Sequence, residues 1–577
     1  MCGIIGIVSQ EYVSSKEILK ALKRLEYRGY DSVGYALNDG TVEKDTGEIS
    51  DFMRRTKEKN FRTGIAHTRW ATHGGVTREN AHPHTDCSGD IMIVHNGIIE
   101  NYLEMKNKLL EKGHKFRSET DSEVIAHYFE DKLNNMDLKD AITDFIKEAK
   151  GTFAVLMIKK GEDRIYAFKR DSPLVLGIGE KEFYLSSDIY GFSDKTDRAI
   201  FFNDDEFAVI DKSYKFYDKD GNEIKKEVKR FQWGFSEEEK ETYDHYMIKE
   251  IKEEGKAVRR IISSLNNEQH EKILKLNKMI KKAKKVAFVA SGTSYFAALL
   301  GVYFLNRVDV ESQAIIASEF RHFIRVDENT LVIAISQSGE TMDVLKALKF
   351  AKEKKAKIVS IVNVPHSSIQ RISDLSLEIL AGQEICVAAT KTFINQVSLL
   401  LYLANLNGLN VNLNNLHRRI QETIDNNESK VQALAKTLYR ERDIYVLGRG
   451  LTYPIAREIA LKLKEISYIH GEGMMGGELK HGTLALIEKG TPVISLIQHE
   501  DYEMLSNTKE VEARGARVIK ISNDEKINPD FYLKTSKDEK FAIAATIIGQ
   551  LLAYYIAKEK GLPIDKPRNL AKSVTVE

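Results

Sequence analysis

Residues 330–341 read TLVIAISQSGET. A β-branched apolar run ends in small polar residues just where MDVLKALKFA (342–351) takes up a helical pattern, giving a strand–turn–helix signature. The signature recurs on either side, as KVAFVASGTSY at 285–295 and AKIVSIVNVPHSS at 356–368. Unbroken apolar strands alternating with helices predict a parallel sheet covered on both faces. The pattern restarts at DIYVLGRG (443–450), TPVISLIQ (491–498) and ARVIKIS (516–522). Residues 285–405 and 440–560 therefore read as one α/β unit duplicated, joined by a helical stretch.

Toward the amino terminus the character changes. CGIIGIV (2–8), DIMIVHNGII (90–99), TFAVLMI (152–158) and RIYAFKR (164–170) are short apolar runs bounded by Gly, Asp and Asn, predicting a β-rich region. Helices are expected at Ser14–Leu25 and Ser122–Leu133. The segment 224–285 is charge-rich without Gly/Ser/Pro bias, so it reads as a helical connector containing Tyr246–Leu265.

A chain of 577 residues exceeds a single core, and ~150 residues per domain suggests three or four domains. With 42% hydrophobic and 30% charged residues it has a soluble, globular balance. Lys plus Arg number 86 against 85 Asp plus Glu, so no bulk field favours nucleic acid or an anionic membrane. The three cysteines, Cys2, Cys87 and Cys386, lie far apart without a CxxC, which excludes a disulfide framework or Cys-rich zinc site and predicts the cytoplasm. Val286–Leu305 is uncharged but broken by SGTS at 291–294; Phe541–Ala557 contains Thr546 and Gln550 and reads as a buried helix. No basic segment precedes the first apolar run, so no signal peptide is expected.

Several residues carry chemistry. Cys2 follows Met1, whose removal would set the thiol beside its own α-amine; at a reference pKa of ~7.7–8.0 that amine is partly basic near neutrality. Ser336, Gln337, Ser338 and Thr341 stand at a helix start, where N–H groups and hydroxyls can cradle a phosphate without a lysine; a plain capping turn is the competing reading. Thr293 and Ser294 follow the neighbouring strand, and two such loops converge on a crevice beyond the strands' carboxyl ends. Pro454–His470 reads as an amphipathic helix carrying Glu458, Lys462 and Glu465 on one face, which spacing alone gives as a solvated Glu-to-Lys pair. Asn96-Gly97 alone reads as a hairpin turn, and Arg69 and Asp121 as surface charges. His67, His73, His82, His84 and His95 match no zinc spacing, and no metal is expected.

The ordered set CGIIGIV, LEYRGYDSVG (25–34), GIAHTRWATHGG (64–75), NAHPH (80–84), IVHNGIIEN (93–101) and SETDSE (118–123) resembles the glutamine amidotransferase domain with an amino-terminal cysteine. ASGTSY (290–295), ASEFR (317–321), SQSGET, AGQEICVAATK (381–391), ALKLKEISYIHGEG (460–473), GGELKHG (476–482) and PRNLAKSVTVE (567–577) resemble the tandem sugar-isomerase domains of the glutamine–fructose-6-phosphate aminotransferase family. The resemblance spans practically the whole chain. It implies an α/β protein with an αββα N-terminal-nucleophile hydrolase (glutaminase) domain at 1–225 and a helical connector at 226–284. Doubly wound parallel-sheet sugar-isomerase domains would follow at 285–410 and 440–560, with a helical linker at 411–439 and a tail at 561–577.

By the same resemblance, L-glutamine and D-fructose 6-phosphate are converted to glucosamine 6-phosphate and glutamate. Ammonia passes between the sites of a homodimer, with no cofactor. Cys2 is implied as nucleophile, Asn96 and Gly97 as oxyanion hole, and Arg69 and Asp121 as holders of the glutamine α-carboxylate and α-ammonium. Trp70 gates the passage, and Thr72 and His73 belong to the glutamine site. Glu465 moves a proton between sugar carbons, and Lys462 assists at the sugar's oxygens. His481 opens the ring at a neighbouring subunit's site, and Lys572 forms a Schiff base. Thr293, Ser294, Ser336, Gln337, Ser338, Thr341 and Val387 bind the sugar phosphate. Ser291 stands where the family usually has Cys, Ala389 where it has Ser and Thr483 where it has Pro, which bears on acceptor preference. Two rival readings are an ammonia-dependent sugar-phosphate isomerase or deaminase and a sugar-phosphate sensor. Glu465, His481 and Lys572 together argue against the sensor.

Overall fold

The strand Gly3–Ser14 buries Ile4 and Val8 on one side and Ile5 and Ile7 on the other, so an apolar run without polar alternation marks a strand covered twice. A computed structural model describes residues 2–231, 240, 242–535 and 538–574; Met1 and parts of the expected connector and tail lie outside the described residues. The chain divides into two units, residues 1–238 with 573–577, and residues 239–572.

In the first unit Gly3–Ser14 lies between Glu182–Ser186 and Asn60–Arg69 in an eight-stranded sheet, pairing antiparallel with both. A second, seven-stranded sheet holds Ile91–Ile99 beside Gly151–Lys159. Ile4, Ile65, Val94 and Leu156 fill the space between the sheets. On one outer face Ile5 and Ala66 meet Ile18, Leu22 and Phe52 of the helices Ser15–Lys23 and Ile49–Arg55. On the other, Val155 and Phe168 meet Phe129 and Phe145 of Glu123–Lys132 and Leu138–Glu148. This is the expected helix–sheet–sheet–helix layering. Asn96 and Gly97 form no hairpin: they stand inside Ile91–Ile99, opposite Ala154 and Phe153. The turn reading fails because the strand partner is far away in sequence. Gly97 has φ +128°, and a Cβ there would lie 2.0 Å from the Thr152 carbonyl oxygen, so only glycine fits.

The second unit holds two five-stranded sheets. The first runs Gln313–Ile316, Lys285–Ala290, Thr330–Ser336, Lys357–Val362, Leu375–Glu378, all parallel. The second runs His470–Met475, Asp443–Gly448, Pro492–Ile497, Arg517–Ser522, Phe531–Tyr532, again all parallel. Both place their second strand outside the first, so the duplication expected from sequence is present in the topology. The chain order reverses between Lys285–Ala290 and Thr330–Ser336, opening a crevice at their carboxyl ends. SGTSY and SQSGET both begin there.

The helix Asp538–Glu559 is long and apolar enough to cross a membrane, yet 94% of its apolar window is buried within the protein. Tyr246–Leu265 is interrupted at Glu253 into Tyr246–Lys252 and Glu254–Asn266. The helix expected over Pro454–His470 spans Thr452–Ser467 instead. It stops at Tyr468, in the left-handed conformation (φ +52°), and His470 opens the next strand. Gly473 lets that strand pass close to the helix, since a Cβ there would sit 2.4 Å from the Ala456 carbonyl oxygen.

Candidate active sites

Antiparallel register sets the first site. Gly3 pairs with Thr68, so Cys2 falls beside Arg69 and Trp70. The Trp70 N–H donates to Cys2 Sγ at 3.2 Å, and the Asn96 side-chain Nδ2 donates to the Cys2 carbonyl at 2.9 Å. Burial pushes the Cys2 thiol up, and the Trp70 N–H and the Arg69 guanidinium only partly offset it. Among the described residues no imidazole or carboxylate hydrogen-bonds Cys2 Sγ.

His67, from the strand Asn60–Arg69, orients Asn96. Its Nε2 lies 3.0 Å from the His95 carbonyl and 3.1 Å from Asn96 Oδ1. Both partners accept, so Nε2 carries the proton and Asn96 must present its amide nitrogen toward Cys2. Burial pushes the His67 pKa down to about 3, keeping that tautomer neutral. His82, stacked on His67 at 4.0 Å, accepts from the His95 N–H through Nδ1 at 3.2 Å. Burial lowers His82, His84 and His95 as well. These rings serve as neutral hydrogen-bonding spacers.

Arg69, which sequence alone gives as a surface charge, is buried. It donates to the carbonyls of His73, Gly74 and Gly75, gathering the loop after Trp70. Asp121 is buried too and accepts from the Ile99 N–H at 2.7 Å. Half-buried Trp70 meets Tyr30 edge-on, and half-buried His73 meets Tyr102 likewise; Thr72 is exposed. Asp31 accepts from the Ala71 N–H at 2.9 Å. Asp31, and the orienting role of His67, escaped sequence reasoning, because only the pairing of separate strands reveals their partners.

The second unit brings together residues that spacing left on a solvated face. Lys462 is fully buried and its Nζ contacts Glu458 (3.3 Å), Glu465 and Thr293 Oγ1 (3.0 Å). Thr293 Oγ1 in turn donates to Glu458 at 3.3 Å. Burial works against the Lys462 charge, but the two carboxylates outweigh it and its pKa is raised. Burial, with Glu465 adding, pushes Glu458 up to about 7 against the pull of Lys462. Glu465 is the partly open member, 20% exposed. Thr293 therefore joins the ion cluster, while Ser294 accepts from Gln396 Nε2 at 3.0 Å.

In the loop after Thr330–Ser336, Ser336 Oγ accepts from the Gly339 N–H at 3.0 Å and lies 3.1 Å from Thr341 Oγ1, shaping the turn. Ser338 Oγ accepts from the Glu340 N–H at 3.2 Å, and the Gln337 carbonyl from the Asn363 N–H at 3.2 Å. Among the described residues, Gln337 Oε1 is buried without a hydrogen-bond partner. The helix Met342–Glu353 starts directly behind, with Thr341 as its cap residue.

Lys572 occupies a different cluster. Its Nζ meets Glu384 at 2.5 Å and the Cys386 carbonyl at 2.8 Å, with the two side chains 3% and 0% exposed. Glu384 also accepts from the N–H groups of Thr390 and Thr392 and from the Thr392 hydroxyl. Val387 lies in this gripping segment, its N–H bonded to the Asp565 carbonyl. Burial works to raise Glu384, but Lys572 and the donors leave it lowered. Sequence reasoning missed Glu384, whose only signal was its place in AGQEICVAATK. His481 is exposed, at the end of the Gly476–His481 turn, and among the described residues it makes no hydrogen bond or ion pair with Glu465, Lys462 or Lys572.

The family described as a glutamine amidotransferase domain matches residues 67–194, and the SIS domain family matches twice, at 279–406 and 437–557. A Methanothermobacter thermautotrophicus protein named glutamine–fructose-6-phosphate aminotransferase (isomerizing) is 42% identical over 598 residues, covering 100% of both chains. One of the same name from Aquifex aeolicus is 43% identical over 598 residues with the same coverage. The structure of the C-terminal domain of glucosamine-fructose-6-phosphate aminotransferase from Francisella tularensis is similar at 35% identity and TM-score 0.53, covering 57% of this chain and 100% of its own. An Escherichia coli tagatose-6-phosphate ketose/aldose isomerase shares the fold at 16% identity and TM-score 0.50, covering 57% and 97%.

Proposed function

The chain belongs to the isomerizing glutamine–fructose-6-phosphate aminotransferase family, and on that premise we propose how its residues divide the reaction. The enzyme converts fructose 6-phosphate to glucosamine 6-phosphate at the expense of glutamine. With Met1 removed, the α-amine of Cys2 takes the thiol proton and Sγ attacks the glutamine side-chain carbonyl. Asn96 Nδ2 and the Gly97 N–H meet the oxyanion. Arg69 and Asp121 hold the amino-acid end, Arg69 by exchanging loop carbonyls for the carboxylate fork. The amide nitrogen leaves as ammonia, and water releases glutamate from the thioester.

The sugar unit opens the ring with His481, contributed across a homodimer. Lys572 captures the C2 ketone as an imine, and ammonia displaces the lysine. Glu465 removes a proton from C1 and returns it to C2, while the Lys462 ammonium stabilises negative charge developing on oxygen. Ammonia passes from one unit to the other without mixing with bulk, and the enzyme works in the cytoplasm.

The observation that carries this reading is the placement of Cys2, its thiol accepting from the Trp70 N–H and its carbonyl held by an Asn96 amide whose orientation His67 fixes. The test supplies amide-15N glutamine and fructose 6-phosphate with excess unlabelled ammonium, and reads the amino sugar by mass spectrometry. Undiluted label is expected. Free mixing would refute the passage, and glutamine-dependent product from Cys2→Ala would refute the nucleophile.

A further inference from the structure

Among residues assigned to neither site, side chains from three separate segments of the first unit point at one another. Cys87 sits in the turn after His84–Thr85, His114 follows the helix Tyr102–Glu111, and His127 and Glu130 share one face of Glu123–Lys132. One donor atom from each lies within 4.8 Å of all the others. Cys87 Sγ is 3.8 Å from His114 Nδ1 and 3.6 Å from His127 Nδ1. Zinc bonds of ~2.3 Å to sulfur and ~2.0–2.1 Å to nitrogen, at a tetrahedral angle, require a sulfur–nitrogen edge of ~3.5 Å.

Glu130 Oε2 completes the set at 2.8 Å from His114 Nδ1 and 3.1 Å from His127 Nδ1, and also accepts from the Cys87 N–H at 3.1 Å. A bound cation would need only a small outward swing of this carboxylate. The far nitrogens face carboxylates, His127 Nε2 at 3.7 Å from Glu123 and His114 Nε2 at 3.9 Å from Asp131. These are ion-pair distances rather than hydrogen bonds; drawn in by a bound cation, carboxylates behind ligating imidazoles orient the rings and raise their basicity. The Lys115 N–H donates to Cys87 Sγ at 3.4 Å, a contact that a metal-bound sulfur can keep.

We propose that Cys87, His114, His127 and Glu130 form a closed, structural zinc site. Thiolate and carboxylate together carry two negative charges, so a divalent ion leaves the complex neutral, and a sulfur-and-imidazole set selects zinc over magnesium or calcium. The ligands come from turns and a helix far apart in sequence, which is why no spacing announced them. The ion would pin both ends of the 114–123 segment, where Glu123 already accepts from the Arg117 and Ser118 N–H groups and which carries Asp121. The site stands independently of the reaction assigned above.

The experiment uses the untagged full chain with Cys2→Ala, so that Cys87 is its half-buried thiol. Metal is stripped by chelator, then zinc is counted by mass spectrometry after reconstitution and cobalt is titrated optically. One zinc per chain and a thiolate-to-cobalt charge-transfer band are expected. Cys87→Ser should abolish the band, and His127→Gln should weaken zinc by more than the ~10–100-fold that loss of a ligand's supporting partner causes, both keeping ammonia-dependent synthesis as a report of folding. Absence of zinc and of the cobalt band in the chain with intact ligands overturns the proposal, as does unchanged binding in both ligand variants.

Discussion

Replacing Asn96 by Ala separates the two half-reactions. In the resting enzyme its Nδ2 spends one hydrogen bond on the Cys2 carbonyl at 2.9 Å, and its Oδ1 accepts from His67 Nε2 at 3.1 Å. Truncation leaves His67 its other acceptor, the His95 carbonyl at 3.0 Å, so no buried donor is orphaned. The stability loss should therefore stay near one net hydrogen bond, ~0.5–1.5 kcal/mol. Catalysis should suffer more, because an oxyanion donor is worth ~10²–10³ in kcat, or ~2.7–4 kcal/mol. Glutaminase turnover, read as glutamate release, should fall by about that factor with a KM for glutamine changed only slightly. Synthesis from free ammonium should be unaffected. An equal fall in the ammonia-driven rate would show that the variant damages the fold, and an undiminished glutaminase kcat would remove Asn96 from the oxyanion hole.

Glu384→Ala strands the buried Lys572 ammonium and should cost ~3–5 kcal/mol in thermal unfolding of the sugar unit, with loss of synthesis and unimpaired glutaminase. Glu458 has its pKa raised by burial from 4.5 to about 7. Its neutral form stabilises the fold fully below about pH 4.5, and that contribution disappears as pH rises through about 7. The melting temperature of wild type relative to Glu458→Gln should accordingly fall between about pH 5 and about pH 8; a constant difference would contradict the buried carboxyl. A short extension fused ahead of Cys2, confirmed by intact mass, should block glutamine use and leave ammonia-dependent synthesis in place.

Much of the architecture was legible because strand and helix periods are local. TLVIAISQSGET announces its strand, its turn and its place at a sheet's carboxyl edge, and the topology agrees. The failures share a cause. Asn96-Gly97 looks like a turn because nothing nearby shows that its partners, Ala154 and Phe153, lie over fifty residues on. Glu458, Lys462 and Glu465 look solvated because helical spacing gives the shared face but not what covers it. Thr293, from another domain of the same unit, closes over them. Composition likewise set Cys87 aside as a lone thiol, since convergence of His114 and His127 exists only after folding.

The resting protonation of the two implied nucleophiles fits these covers. Lys572 must become a neutral amine before it can attack a ketone, yet it is found as one half of a buried ion pair with Glu384. The carboxylate that steadies the tail therefore also masks its reactivity, and on the proposed role the ammonium must give up its proton and leave that pair before it attacks. Cys2 faces the opposite problem: burial keeps its thiol protonated, and no side-chain base touches it among the described residues. A thiol so placed has little reactivity of its own until a base arrives from within its own residue. On the roles proposed above, glutamine cleavage waits on processing at one end of the chain, and amino-sugar formation on release of Lys572 from Glu384 near the other.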